Sequence, residues 1–427
     1  MRVCFIQYQG HMLSGGQGVY LHYVSRELAR MGHDVHVIAG VPYPTVSDEV
    51  SLHKLKNFSF WSYFYGYHEF MSRTHPLEFF HPLNFYEFVS TRYNLTALLN
   101  TFSLRAYEML NELERERPFD LIHDNQTLGY GIWLMKRRGT PVVANIHHPL
   151  TIDQKNAVAQ ARNLGGRIWG LYWYPWIMQR WVAGRLDRII TGSDASAESI
   201  VEAFGLPRER IRRIHDGVDT EVFHPLEDVV PHPERILFVG NSKDRNKGIL
   251  YLLHALRQLR GEVQFHLRVV HHPGSQAVPR LVQELGLQGR VSFLESLSTL
   301  DLVGQYNKAQ LLVSPSLYEG FGLPAAEAQA CGTPVVATTA GALSEIVEDR
   351  VTGVLVPPGQ VEPLAAAIRS LLEDPARCRV MGQAGARRIR ERFNWQRTAD
   401  ETLALYEEVL GSPTARRMFA PLSAVAP

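Results

Sequence analysis

Two glutamates eight positions apart, Glu319 and Glu327, frame the most informative stretch of the sequence. It reads Ser314-Pro315-Ser316-Leu317-Tyr318-Glu319-Gly320-Phe321-Gly322-Leu323-Pro324-Ala325-Ala326-Glu327. A loop rich in Gly and Pro opens a short helix, with one carboxylate on the loop and the second in the helix. Cys331-Gly332-Thr333-Pro334 and an apolar strand, Val335-Val336-Ala337-Thr338, follow. Main-chain N–H groups at a helix start can hold anionic oxygens. An ionised carboxylate only accepts hydrogen bonds, so it suits hydroxyl groups rather than that anion. Phosphate and polyol chemistry at one helix start points to a sugar nucleotide. An ordinary loop–helix joint with two solvated glutamates is the alternative that spacing alone leaves open.

Such a site needs a scaffold, and a chain of 427 residues implies two domains near half that length. Hydrophobic residues make up 45% and charged residues 20%, a globular balance. The formal net charge of +1 gives no general affinity for nucleic acid. The basic clusters from Arg208 to Arg213 and from Ala386 to Arg392 read as solvated faces. Cys4, Cys331 and Cys378 are far apart and form neither a zinc spacing nor a disulfide framework, so a reducing compartment is expected. Cys4 and Cys331 sit in apolar context, as small buried hydrophobes do. A strand, Val3-Cys4-Phe5-Ile6, opens the sequence, so no signal peptide is expected. The sequence has no run of 18 apolar residues, hence no expected membrane span.

The first half alternates strands and helices. Strands are expected at Arg2 to Gln7, Asp34 to Ala39, Phe119 to His123, Pro141 to Ile146 and Arg188 to Thr191. After Gly15 and Gly16, the spacing of Val19, Val24, Leu28 and Met31 predicts a helix that Gly32 caps. A polar stretch from Thr220 to Glu234 precedes a restart of the pattern. Strands are then expected at Arg235 to Val239, Gln264 to Val270, Val291 to Leu294, Ala309 to Val313 and Pro334 to Thr338, with a helix from Leu250 to Leu259. The last segment, Trp395 to Leu410, reads as a helix with Leu403, Tyr406 and Val409 on one side. Strands separated by helices of this length form parallel sheets covered on both faces. Two such domains would present the loops at their strand carboxyl ends to one another across a cleft.

With these motifs the chain resembles the retaining glycosyltransferase family 4 (glycosyl transferases group 1), over nearly its full length. The Glu-x7-Glu pattern with Cys331-Gly332-Thr333-Pro334-Val335-Val336 carries most of the likeness. Gly15-Gly16-Gln17-Gly18-Val19-Tyr20, His147, Asp216-Gly217-Val218-Asp219 with Phe223 and Pro225, and Lys247-Gly248 agree with it. The resemblance implies an α/β fold of the GT-B type, with two Rossmann-like doubly wound domains facing a central cleft. Residues 1–219 would form the acceptor domain, completed by a returning C-terminal helix at 396–415, and residues 220–395 the nucleotide-sugar domain. The implied activity is transfer of a hexose, with retention, from a UDP- or GDP-hexose to a hydroxyl of a saccharide or lipid-linked acceptor. Alternatives are a degenerate sugar-nucleotide-binding protein without transferase activity and a sugar-nucleotide epimerase.

The resemblance also implies residue roles. Glu319 matches the glutamate near the donor sugar hydroxyls and the reacting face, and Glu327 the one that accepts from the ribose. Phe321, Gly322 and Leu323 lie where main-chain N–H groups approach donor hydroxyls and the distal phosphate. Lys247 matches the cation that offsets pyrophosphate charge, Gly16 the glycine that admits close main-chain approach, and His147 the histidine beside the transferred sugar. Relatives usually carry Arg where this chain has Asn241, after Gly240; Lys243 or Arg245 would have to supply the missing charge. His271-His272-Pro273-Gly274 and Glu295 also depart from the family pattern, near the nucleobase.

The remaining groups are less specific. His147 has the unperturbed pKa of a general base, although the leaving phosphate is the expected proton acceptor in this family. No carboxylate or cysteine stands at ligand spacing from His271 and His272, so neither a metal nor any other cofactor is expected. Two aromatic runs mark the acceptor side. Phe58, Phe60, Trp61, Tyr63, Phe64, Tyr65, Tyr67 and Phe70 are followed by Phe79, Phe80, Phe85, Tyr86, Phe88 and Tyr93; the second run is Ile168, Trp169, Leu171, Tyr172, Trp173, Tyr174, Trp176, Ile177 and Trp181. They are either the packing of long inserted helices or an apolar acceptor wall able to touch a membrane surface. The expected location is cytoplasmic, with peripheral contact at the inner membrane face in the second case.

Overall fold

The computed structural model describes residues 1–10, 16–56, 80–93, 95–160, 163–271, 277–295 and 297–411. Gly15, the aromatic residues from Phe58 to Phe79, and His272-Pro273-Gly274 lie outside them. The chain divides into two compact units, Met1–Ile214 together with the segment from Thr398 onward, and His215–Arg397.

The first unit runs β1 (Arg2–Gln7), α1 (Gly16–Arg30), β2 (Asp34–Ala39), β3 (Ser51–Lys54), α2 (Pro82–Thr91), α3 (Leu95–Leu113), β4 (Leu121–Asn125) and α4 (Tyr130–Arg137). It continues through β5 (Val142–Asn145), α5 (Leu150–Gln160), α6 (Leu164–Trp173), α7 (Trp176–Ala183), β6 (Arg188–Thr191), α8 (Asp194–Phe204) and β7 (Ile211–Arg213). The seven strands form one sheet in the order β3-β2-β1-β4-β5-β6-β7, parallel throughout. All of β1, β4 and β5 is buried, as expected of strands covered on both faces. Sequence patterning misses β3 and β7, because Ser51-Leu52-His53-Lys54 and Ile211-Arg212-Arg213 are short, polar edge strands with no apolar run to mark them.

Helix α1 begins at Gly16, three residues before the predicted start. Its buried face is Tyr20, Leu21, Val24 and Leu28, while Val19 and Met31 are only half-buried. Gly32 follows at φ 86°, in the left-handed region where a glycine is favoured. The basic cluster near β7 is not simply solvated. Arg208 bonds Ile211 O and Asp194, Arg210 donates to Gly184 O and Leu186 O, and Arg212 pairs with Glu408. Loop carbonyls and carboxylates near a chain crossing need these donors. Arg388, in the second basic run, likewise donates to Ile346 O and Glu345 O.

The second unit runs β8 (Arg235–Val239), α9 (Ile249–Leu259), β9 (His266–Val270), α10 (Ala277–Glu284), β10 (Val291–Leu294), α11 (Thr299–Lys308), β11 (Leu311–Ser314) and α12 (Leu323–Ala330). Then come β12 (Val335–Thr338), α13 (Leu343–Ile346), β13 (Gly353–Val356), α14 (Val361–Leu372) and α15 (Pro375–Arg392). Its sheet has the order β10-β9-β8-β11-β12-β13, again parallel. Helix α16 (Trp395–Gly411) leaves this unit, and from Thr398 its residues belong to the first. There the Tyr406 hydroxyl meets His123 Nδ1 on β4 at 2.5 Å. All three cysteines are buried and free, and burial pushes the Cys4 and Cys331 thiols up.

The aromatic runs divide. Trp181 packs edge-on against Trp133 and Tyr130, and Met178 and Val182 are buried, so α7 belongs to the core. On α6 the Trp169 and Trp173 rings stack at 5.3 Å, yet Ile168, Trp169, Leu171 and Tyr172 remain exposed. Phe80, Phe85, Tyr86 and Tyr93 are exposed as well. Among the described residues no helix is long and apolar enough to cross a membrane.

Candidate active site

In a doubly wound sheet, ligands settle outside the carboxyl ends of the strands where the strand order reverses. In the second unit that point lies between β8 and β11, and the loops leaving these two strands carry Lys247 and Glu319. The β8 loop is built by local polar bonds. The Asp244 N–H donates to Asn241 O at 3.0 Å, Asn241 Oδ1 accepts the Lys243 N–H at 3.0 Å, and Asp244 accepts the Asn246 N–H at 2.9 Å. A single helical turn, Arg245–Lys247, then ends at Gly248, φ 68°. A Cβ at Gly248 would fall 1.9 Å from Pro315 O, so glycine alone lets the two loops touch. The Leu317 N–H donates to Asn246 O at 2.7 Å and joins them.

This contact carries Lys247 Nζ to 3.0 and 2.9 Å from the two Glu319 carboxylate oxygens. Ser316 Oγ donates to the same carboxylate at 3.1 Å, and the Ala342 N–H bonds Glu319 O at 3.0 Å. Desolvation lowers the Lys247 pKa, but the charge of Glu319, its hydrogen bonds and Asp244 outweigh that and raise it. The lysine is therefore a fixed cation at neutral pH. Asn241, Lys243 and Arg245, on the β8 loop, are exposed. The cation brought to Glu319 is Lys247.

The helix start offers fewer amides than the sequence suggests. Pro324 has no N–H, and the Ala325 and Ala326 N–H groups both donate to Gly322 O, at 2.9 and 3.1 Å. Of the first turn, Leu323 is left to offer its amide. Gly322 has φ 101°, and a Cβ there would lie 2.9 Å from Leu343 Cδ2. The Phe321 ring is buried, near Phe393 and His215, so only its main chain can face a ligand. Glu327 is the fifth residue of α12, beyond the first turn, and accepts a 2.7 Å bond from the Tyr306 hydroxyl. Burial raises its pKa to about 7, against the opposing effect of that hydroxyl.

Two departures from the family pattern meet in space. His271, at the end of β9, lies 3.4 Å from Glu295 through Nε2 and 2.9 Å from Ser242 Oγ through Nδ1. A carboxylate, an imidazole and a hydroxyl thus line the carboxyl ends of β8, β9 and β10.

The first unit reverses its strand order between β1 and β4. There Asn125 donates through Nδ2 to Gln7 Oε1 and, at 3.1 Å, to Gln17 O. Its Oδ1 lies 3.0 Å from His147 Nε2, and Asn145 Nδ2 lies 3.3 Å from the same ring nitrogen. Gln126, at φ 62°, accepts the His147 N–H at 2.7 Å and donates to His148 O at 2.9 Å. Desolvation, with His148 nearby, lowers the His147 pKa to about 3. The ring is neutral and weakly basic, well below the unperturbed pKa that sequence alone assigns to it. Gly16 opens α1 and is exposed, rather than lying in the preceding loop. Gln7, Asn125 and Gln126 escape sequence reasoning. The signal that could have found them is the wholly polar run Asp124-Asn125-Gln126-Thr127 ending a buried strand. Among the described residues no group of three His, Cys, Asp or Glu could hold a metal ion.

Two parallel sheets, one in each unit and each with polar loops at its reversal point, match the architecture of the GT-B glycosyltransferases. The family described as Glycosyl transferases group 1 matches residues 223–388, and Glycosyltransferase Family 4 matches residues 14–222. The chain is 37% identical to the MMP α-(1→4)-mannosyltransferase of Mycolicibacterium hassiacum over 97% of its own length and 100% of that protein. It is 32% identical to the D-inositol 3-phosphate glycosyltransferase of Mycobacterium tuberculosis over 70% of its length and 64% of the relative's. The fold is similar to that of sucrose-phosphate synthase from Thermosynechococcus elongatus, with TM-score 0.73, 25% identity, and coverage of 96% of this chain and 99% of that one. The chain belongs to glycosyltransferase family 4 and is a glycosyltransferase.

Proposed function

We propose that the enzyme transfers a hexose, with retention, from a nucleotide sugar to an acceptor hydroxyl. The observation that carries this reading is the Lys247–Glu319 pair, locked at the strand reversal of the second unit by Gly248 and the Asn246–Leu317 bond. Breaking a sugar–phosphate bond places growing negative charge on a departing nucleoside diphosphate. A cation fixed beforehand, together with the Leu323 amide at the helix start, stabilises that charge without reorganising. Glu319 accepts from the sugar hydroxyls and keeps Lys247 aimed, and Glu327 accepts from the ribose. His147 acts as a neutral positioning group beside the sugar, because a pKa of about 3 gives it little basicity. The acceptor proton passes to the leaving phosphate. No metal ion or other cofactor enters this scheme.

The mannosyltransferase relative makes mannose the first hexose to try, as its GDP and UDP derivatives. The acceptor is a saccharide or a lipid-linked saccharide. The exposed Ile168, Trp169, Leu171 and Tyr172 of α6 support an apolar wall for it and, for a lipid-linked acceptor, contact with the inner face of the cytoplasmic membrane. Incubation with UDP-, GDP- and ADP-hexoses, each with and without saccharide acceptors, tests the reading through release of nucleoside diphosphate. Acceptor-dependent release from one donor is expected; silence across the panel would overturn it. Flotation with liposomes tests the membrane contact, which Trp169→Ser and Tyr172→Ser should weaken. A wild-type chain that never floats would end that part.

A further inference from the structure

The second unit has a cavity of about 520 Å³ lined by Arg257, Arg260, Gln283, Glu284, Gly286 and Arg290. Helix α9 runs back from the carboxyl end of β8, so Arg257 and Arg260, at its far end, lie at the amino ends of the strands. Arg290 directly precedes β10. The cavity therefore opens on the edge of the sheet opposite Lys247 and Glu319.

Three guanidinium groups converge on it, and none has a carboxylate partner among the described residues. Glu262, the nearest acid after α9, turns instead to Arg369 at 2.7 Å. Glu284 lines the cavity without pairing with any of the three. Arg290 stacks over the Phe265 ring at 5.1 Å, and its Nη1 is buried with no hydrogen-bond partner. A buried guanidinium nitrogen left unbonded is costly. The backbone also makes room for this arrangement. Gly286 has φ 67°, and a Cβ there would fall 2.3 Å from Arg260 Nη1, so any side chain would displace the guanidinium. Guanidinium forks match phosphate oxygens two at a time, and like charges gathered in one cavity are relieved by a multiply charged anion.

We propose that this cavity is an anion site, separate from the active site, for a small ligand carrying at least two phosphate groups. Arg257 and Arg260 flank the ligand, and Arg290 adds its charge to the cavity wall. The test is isothermal titration of the full chain with pyrophosphate, run on the wild type, Lys247→Ala, Arg257→Gln, Arg290→Gln and the Arg257→Gln/Arg260→Gln double variant. Arg257 is exposed, so its replacement leaves folding intact if the stacked Arg290 proves structurally needed. Pyrophosphate should bind a site that survives Lys247→Ala and weakens about tenfold or more with each arginine removed. Bound ligand should also raise the melting temperature of Lys247→Ala, and should no longer do so once Arg257 and Arg260 are both replaced by Gln in that variant. Binding that vanishes with Lys247→Ala, binding indifferent to all three arginines, or no binding by the wild type would each overturn the proposal. The outcome does not depend on whether the donor reading of Lys247 holds.

Discussion

Replacing Lys247 with alanine separates catalysis from stability, because the two costs differ in origin and size. In the resting protein the lysine serves one carboxylate. Its side chain is 27% exposed and that of Glu319 is 12% exposed, so the pair is neither free in solvent nor sealed in the core. Truncation leaves Glu319 with the Ser316 hydroxyl and some solvent, a loss of about 1–2 kcal/mol, between the values for exposed and buried pairs. For a domain of this size that lowers the melting temperature by roughly 2–8 °C. In the transition state of the proposed reaction the same ammonium would face the departing diphosphate as well. Loss of one preorganised electrostatic contact there costs roughly 3 kcal/mol, or about a hundredfold in turnover. Nucleoside diphosphate release measured beside urea unfolding on Lys247→Ala, Glu319→Gln and the double variant would expose the difference. The stability losses should be less than additive, since each single change breaks the same pair. A Lys247→Ala enzyme that keeps turnover within about threefold of wild type while losing the expected stability would refute the catalytic role and leave a structural ion pair.

Other outcomes follow from neighbouring features. Removing Lys243 or Arg245 should cut turnover at least tenfold, about 1.4 kcal/mol, at whichever position replaces the cation missing at Asn241; unchanged kinetics for both and for the double would show that no replacement exists. Gly248→Ala should cost about 2 kcal/mol or more in urea unfolding, because a Cβ at positive φ would meet Pro315 O at 1.9 Å; wild-type stability would mean the loops separate easily. Burial raises Asp216 to about 7, and its Oδ1 has no hydrogen-bond partner. A carboxyl whose pKa is higher folded than unfolded contributes stability below the unfolded value, near 3.8, and loses it as pH rises towards 7. Asp216→Asn should therefore flatten the fall in stability between about pH 4 and 7, and an unchanged pH profile would contradict the burial account. Activity should survive chelating agents; full loss restored by Mg²⁺ or Mn²⁺ would replace Lys247 by a metal in the scheme.

Much of the fold is legible because a parallel sheet writes itself as apolar runs. Val3 to Ile6, Ile236 to Val239 and Val335 to Ala337 are continuous hydrophobic stretches, and each lies in a strand. Three of the edge strands lack that signature, although Val291–Leu294 at the fourth edge was legible. Ser51–Lys54 and Ile211–Arg213 pair on one side only, and Gly353–Val356 closes the second sheet with its middle residues half-buried. At the site, the loop and helix start around Glu319 and Glu327 could be read from glycine, proline and carboxylate spacing. The partners of those carboxylates could not. Tyr306 reaches Glu327 from α11, and Lys247 reaches Glu319 only because Gly248 admits Pro315, so both contacts depend on packing between distant segments. The lowered basicity of His147 was equally hidden, since desolvation has no sequence signal. The free amides expected at the helix start shrank to that of Leu323, because Ala325 and Ala326 both turn to Gly322 O.

The central claim is hexosyl transfer with retention at the Lys247–Glu319 site, and proton NMR of the product tests it most directly. The wild-type enzyme, given an α-linked nucleotide hexose and a saccharide acceptor, should yield a glycoside whose new anomeric centre is α, formed in step with released nucleoside diphosphate. Lys247→Ala should form the same product about a hundredfold more slowly. A β-configured product, or donor consumed with no new glycosidic bond, would contradict the account.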